Sequence, residues 1–524
     1  MSTMNLGGIA LAVAVGALAG FTAEAKTLRW SSPTDLTTLD PYAHTESFTT
    51  SMLHHVFDPL VRHGRNLELE PALAVSWKTV RPDTWRFELR KNVKFHNGNP
   101  FTADDVVASI TRILDPGSRA RGDLVAVDRA EKVDDFTVDI VTKGPYPLLL
   151  NDLSGIYIMD KEWMEANGAL KPGDVSRGVS TAASTSAVGT GPFKVESFKP
   201  EAGTVFVVNP NWWDKPQHNL DRIEFKPIKS DATRVAALLS GELDLIAPAP
   251  LQDLQRIGNS SGFKVIEEPS LRLIMLSLSS RPELKTAPGQ KNPMLDLRVR
   301  QAMWHAIDFE ALKKRVMRDK SRNTGTLVAP QVPGFAKDND QLFGYDQDKA
   351  KKLLAEAGYP NGFKTKLNCP NDRYINDEQT CVAIASMWTK IGVQTELQTE
   401  SRATYFPRRD RGEFDNSMVG WANMPSMDGF ATLSSLLAEQ KDGYGGSNAG
   451  AYSNPKIEEL TRKAAVELDE EKRRSMLVDA LKEARDTVAY IPVHQQPVAW
   501  AMRDGVEIPQ FPDEYVRLWF TNIK

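Results

Sequence analysis

A serine followed three residues later by a lysine can supply a nucleophile and its base. The chain has this spacing twice, in Ser261-Gly262-Phe263-Lys264 and Ser453-Asn454-Pro455-Lys456. Neither is accompanied by the S-D-N and K-T-G elements that complete such a site in acyl transfer, and four-residue matches arise easily by chance. An H-E-x-x-H pair and a P-loop are both missing, so zinc hydrolysis and nucleotide hydrolysis lack their usual signatures. Cys369 and Cys381 are the two cysteines. In an oxidising compartment they can close a short loop as one disulfide, contributing ~2–3 kcal/mol by loop entropy; the alternative is two separate buried thiols. Without a neighbouring histidine they do not form a zinc site. His54 and His55 point in different directions on a helix and, with His63, find no third facing ligand beyond Asp58. Packing or surface roles are expected for all three, with no metal and no cofactor.

The elements that position these residues belong to a large chain. At 524 residues it exceeds the ~250–300 at which one core stops growing, so several lobes and a cleft between them are expected. A hydrophobic fraction of 41% and a charged fraction of 25% are those of an ordinary folded protein. A net charge of −4 without long runs of one sign gives no reason to expect nucleic acid, and points to a small ligand. Residues 6–21 form an apolar run leading to Ala23-Glu24-Ala25, which reads as a secretory signal cleaved after Ala25, although Met1–Asn5 carries no Lys or Arg. The run is shorter and richer in Gly and Ala than a membrane span of about 20 apolar residues. Since no cysteine stands near the cleavage point, the mature protein is expected to be free in the periplasm.

Strands and helices alternate along the mature chain. Leu28–Trp30 reads as a short strand broken at Ser31-Ser32-Pro33. Trp85, Phe87 and Leu89 recur with a period of two, with Val93 following after a turn, as in a half-buried strand. Thr102 can cap a helix that carries Val106, Val107 and Ile110 on one face, and Asp296 one that carries Val299, Ala302, Met303 and Ala306. Over 346–358, Asp346 caps, Ala350, Leu353, Leu354 and Ala357 form a stripe, and Gly358 with Pro360 ends the helix. Residues 171–191 are rich in Ser, Thr, Ala and Gly and read as a linker at a lobe boundary.

Several segments, in order, resemble the peptide/nickel class of bacterial extracellular solute-binding proteins, the receptors of dipeptide and oligopeptide ABC importers. The longest runs from Trp85 to Ser109. Gly189-Thr190-Gly191-Pro192-Phe193, Asn209-Pro210-Asn211-Trp212-Trp213, Ser240-Gly241-Glu242-Leu243-Asp244, Val299-Arg300-Gln301-Ala302 and Gly412-Glu413-Phe414-Asp415 leading to Gly420-Trp421 follow it. The resemblance implies an α/β fold of periplasmic-binding-protein type, two large lobes with a hinge plus an inserted smaller α+β domain. Domain I would comprise 26–58, 189–270 and 491–524, domain II the insertion 59–188, and domain III 271–490. The chain would then cross between the lobes near Pro269-Ser270 and near Pro492, as a hinge requires.

The resemblance also implies which residues meet the ligand. Family members place an acid shortly after the Trp of Gly420-Trp421 to hold a peptide's amino group, but here Met424 stands three residues after Trp421. Either Asp428 takes over, or Asn423 offers a neutral carbonyl, or the ligand has no free α-amino group, since a buried ammonium needs a charged acceptor. The connection 371–377 would face the cleft, with Arg373 as a fork for an anion and Tyr374 as a stacking wall; the alternative is a solvated turn. Trp421 would stack on the ligand or fill the core. Ser31, Ser32 and Thr34 would offer contacts from domain I, or simply form a capped loop. The expected function is capture, without chemistry, of a peptide or peptide-like solute by a monomer that serves ABC permease and ATPase subunits. An opine, a glycoside or a metal chelate on the same scaffold is the alternative, with a hydrolase or a periplasmic chaperone behind it.

Overall fold

The computed structural model describes residues 25–64 and 67–524. The apolar run 6–21 and Ala23 therefore lie outside the described residues. Among the described residues, no helix is long and apolar enough to cross a membrane.

A ten-stranded mixed sheet organises the molecule. Its strands are β1 (Thr27–Ser31), β2 (Phe193–Lys199), β3 (Gly203–Val208), β4 (Arg222–Phe225), β5 (Leu245–Ile246), β6 (Phe263–Leu278), β7 (Phe363–Pro370), β8 (Val393–Glu400), β9 (Asn416–Trp421) and β10 (Tyr490–Arg503). They lie in the order β8-β7-β9-β6-β10-β5-β1-β4-β3-β2. Strand β1 runs parallel to β4 and β5, and β7 runs parallel to β8 and β9. A separate four-stranded antiparallel sheet is formed by Ala74–Arg81, Thr84–Leu89, Val127–Asp134 and Thr137–Thr142.

The long antiparallel strands β6 and β10 join two halves. From Phe263 to Pro269, β6 pairs with Arg503 back to Pro497; from Leu273 to Ser277 it pairs with Gln495 back to Tyr490, with a register shift between Pro269 and Leu273. Each half is apolar on both faces. Ile266, Val498 and Trp500 pack into one core and Val265, Ala499 and Ala501 into another. In the second half, Ile274, Leu276 and Ile491 enter a third core and Leu273, Met275 and Tyr490 a fourth. Between the halves most buried side chains are polar, Ser270, Arg272, His494, Gln495 and Gln496, with Leu271 buried among them. Apolar area, at ~25 cal/mol per Å², holds each half together, and Met317 and Val316 carry apolar packing from the second half into the core around Ala499 and Ala501.

Local signals set the ends of the helices. Thr102 and Asp105 form a capping box before Ala103–Leu114, with the Thr102 N–H donating to the Asp105 carboxylate at 2.8 Å. The Asp296 carboxylate accepts the Arg298 N–H at 2.9 Å ahead of Leu297–His305, whose Val299, Ala302 and Met303 are fully buried. Asp346 accepts the Lys349 N–H at 2.8 Å before Gln347–Glu356, and Gly358, at φ +92°, takes the left-handed conformation that ends this helix. The expected strand at Trp85, Phe87 and Leu89 forms as Thr84–Leu89, with Phe87 and Leu89 buried. Residues 171–191 contain two short 3₁₀ turns, Val175–Arg177 and Ala182–Ser184, and neither α-helix nor strand.

Candidate functional site

Ligands in open α/β sheets bind at the carboxyl ends of parallel strands, where the following loops converge. Here the loops after β1, β5, β7 and β8 meet around a cavity of about 610 Å³. Residues 32–34, 247–252, Val498 and Trp500 line it from the half built on β1, 371–377 and Arg402 from the half built on β7, and Gln496 from the seam.

The loop 371–377 is held at several points. The Asp377 carboxylate accepts the N–H groups of Arg373 at 3.0 Å, Tyr374 at 2.9 Å and Glu378 at 2.9 Å. Gln496 accepts the Ile375 N–H at 3.1 Å, and Asn376 donates to the Val316 carbonyl at 2.8 Å. A disulfide joins Cys369, at the end of β7, to Cys381 in the helix α1 (Asp377–Lys390), with a Cα–Cα distance of 6.6 Å. The Tyr374 ring lies against Gly420, where a Cβ would stand 2.5 Å from the ring, so only glycine fits there. Arg373 holds its guanidinium over Tyr374 at 5.1 Å and has no carboxylate within ion-pair distance among the described residues. Burial, with repulsion from Arg272, lowers its affinity for its proton. A half-buried guanidinium without a counter-ion is a receptor for an anion.

The surrounding charges are differently placed. Arg272 is paired with Glu514, Nη2 to Oε2 at 3.0 Å, and Glu514 also accepts from Ser270 at 2.6 Å and Gln496 at 3.2 Å. Burial alone would raise the Glu514 carboxyl, but Arg272, the Ser270 hydroxyl and the charge of Arg373 together hold it below its usual range. On the opposite wall Ser32 accepts the Thr34 N–H at 3.3 Å, and Thr34 Oγ1 faces an Arg402 Nη1 donor at 3.4 Å. The hydroxyl of Ser31 is buried without a hydrogen-bond partner among the described residues.

Four of the residues singled out from the sequence therefore share this cavity: Ser32, Thr34, Arg373 and Tyr374. Trp421, Asn423 and Asp428 do not line it. Trp421 ends β9 opposite Leu273 and is half-buried. Asn423 accepts from the Thr432 hydroxyl at 2.7 Å. Asp428 is gripped by Arg473, Nη1 and Nη2 each at 2.8 Å, and accepts the Phe430 N–H at 2.8 Å. The turn lies against the helix Leu149–Leu153, where Asn151 donates to the Ser426 carbonyl at 2.9 Å. Sequence reasoning missed Arg402 and Glu514. Arg402 begins the helix α2 (Arg402–Asp410) directly after a strand parallel to β7, and that strand-to-helix placement was the available signal.

The remaining chemical patterns are structural. Lys456 pairs with Glu483 at 2.9 Å while Ser453 donates to Glu439 at 2.5 Å, and Lys264 reaches the Asp504 carbonyl at 3.4 Å. Gly258-Asn259-Ser260-Ser261-Gly262 has the letters of a nucleophile elbow, but it joins a helix to a strand, the reverse of that motif, and Ser260 donates to the Arg256 carbonyl at 2.8 Å. His54 and His55 pack against Trp519, and burial pushes the His55 imidazole down to about 4. Among the described residues no group of three or more His, Cys, Asp or Glu could hold a metal ion.

Comparison with known proteins matches residues 68–444 to the bacterial extracellular solute-binding proteins, family 5 (middle region). The chain is 29% identical over 467 residues to heme-binding protein A of Haemophilus influenzae, covering 84% of this chain and 81% of that protein. It is 29% identical over 434 residues to the dipeptide-binding protein of Escherichia coli, covering 78% and 77%. Among solved structures it superposes on MoaA of A. tumefaciens R10 in complex with mannopinic acid, with a TM-score of 0.79 and 25% identity, over 95% of this chain and 100% of that one. The chain belongs to family 5 of the bacterial extracellular solute-binding proteins and has their α/β periplasmic-binding-protein fold.

Proposed function

We propose that this family 5 protein is a periplasmic receptor of an ABC importer, which takes a peptide or peptide-like solute with an acidic group into the cavity between its lobes and delivers it to the permease. The observation that carries this reading is the unpaired Arg373 guanidinium on the cavity wall, above Tyr374. A charge-assisted fork of this kind selects a carboxylate, main-chain and hydroxyl groups of 32–34 contact the solute from the other side, and the cavity walls exclude water. The disulfide fixes the loop, which reduces the entropy lost on binding. Family members are binding proteins, and we assign no catalysis to this chain.

The same reading assigns domain I to 26–58, 189–270 and 491–524, domain II to 59–188 and domain III to 271–490. The polar seam between the apolar halves of β6 and β10 supports a hinge there, where a few residues absorb the rotation while the cores stay rigid. The mature receptor begins after Ala25, works as a monomer and meets the permease and ATPase subunits at the inner membrane. A second reading, an opine-like solute, is favoured by the occupied Asp428 and by Met424, because neither offers a charged acceptor for an ammonium. Thermal-shift screening with dipeptides, tripeptides, opines, glycosides and metal chelates tests both. Stabilisation by acid-bearing peptides or opines that Arg373→Ala removes is expected. Stabilisation by uncharged glycosides alone, indifferent to Arg373, would refute the assignment.

A further inference from the structure

The charges on the cavity wall are unevenly paired. Five carboxylates line it; three are held by arginines, and Asp377 and Asp372 accept only backbone N–H groups. Asp231 pairs with Arg234 at 2.6 Å, Asp513 holds Arg517, Glu514 holds Arg272, Asp377 accepts three backbone N–H groups, and Asp372 accepts the Arg402 N–H at 2.6 Å. Two guanidinium groups on the same wall have no acid within ion-pair distance among the described residues, those of Arg373 and Arg402. Arg402 has only the neutral Thr34 hydroxyl, at 3.4 Å, which is long for a hydrogen bond and cancels no charge.

We infer that the solute carries two acidic groups, one for Arg373 and one for Arg402, and that Arg402 is a specificity-determining ligand contact. The inference rests on the reading of this cavity as the ligand site. Binding that displaces water from two like charges is unfavourable unless the ligand neutralises both, and a single carboxylate leaves one bare. Glu46, next to the lining Ser47, also has no side-chain partner among the described residues, and its pull on Arg373 is weaker than the push from Arg272.

Calorimetry on the mature chain at low ionic strength, with Gly-Glu and Gly-Gln as probes, isolates the second charge, because these dipeptides have nearly the same shape. Gly-Glu is expected to bind about tenfold more tightly. Arg402→Gln erases that difference and Arg402→Lys restores part of it, which a folding defect would not allow. Glu46→Gln tightens Gly-Glu, whereas a role as ammonium acceptor would weaken it. Equal affinity for the two dipeptides, or a difference that survives Arg402→Gln, overturns the inference. If neither dipeptide binds, the peptide reading itself fails, and glutarate against valerate then decides the point. Glutarate alone stabilising the protein upholds the two-acid site, and equal or no stabilisation by the pair rejects it.

Discussion

The loop 371–377 and the turn 420–428 each carry a charged side chain that the family resemblance places near a ligand, yet the fold treats the two charges in opposite ways. Asp377, Gln496 and the disulfide hold the backbone of the loop and leave the Arg373 guanidinium without a partner. The turn brings Asp428 to Arg473, and both oxygens are occupied 45 residues away in sequence. What separates a binding residue from a structural one here is whether its partner is supplied by the chain or left for the solute.

Removing each charge should therefore break the comparison in different places. Asp428→Ala leaves Arg473 buried and uncompensated, so denaturation should show a loss of about 3–5 kcal/mol of stability. A smaller loss would mean that the pair is solvated. Arg373→Ala should leave stability within about 0.5 kcal/mol, since a half-buried cation is removed, while solute affinity falls by about 30-fold, or ~2 kcal/mol, by calorimetry. If stability fell and affinity held, the two regions would have exchanged roles.

The smallest effect concerns the neighbour of the turn. Burial pushes the Asp152 carboxyl up to about 8, opposed by the Tyr146 hydroxyl, which donates at 2.5 Å, and helped by the charges of Asp123 and Asp428. The folded state therefore holds a proton that the unfolded chain releases near 3.9. The contribution of this group to stability is fully present below about pH 4 and is lost as pH rises towards 8. Asp152→Asn should flatten this decline and raise stability by about 1–2 kcal/mol at pH 8, with no gain at pH 4. An unchanged pH profile would place the carboxylate in water.

The caps at Thr102, Asp296 and Asp346 were legible in the sequence because each depends on residues at most three positions apart. So were the strand around Phe87 and the loop carrying Arg373. The order of the ten strands was not, since β6 and β10 pair across more than 200 residues and their apolar pattern fits any central position. The site divides in the same way. Cys369, Cys381 and the intervening loop announced themselves by spacing, whereas Arg402 looked like any helix-starting arginine until β8 was placed beside β7. Asp428 looked free because nothing local to it shows Arg473.

A crystal structure of the mature protein purified without denaturation, with whatever solute it retains, tests the central claim most directly. The account predicts density in the cavity between the lobes, with an acidic group of the solute within about 3.2 Å of the Arg373 guanidinium and the Asp428–Arg473 pair intact. A solute seated on the turn 420–428 with a cationic group at Asp428, or one in the cavity that leaves Arg373 unpaired, would contradict it.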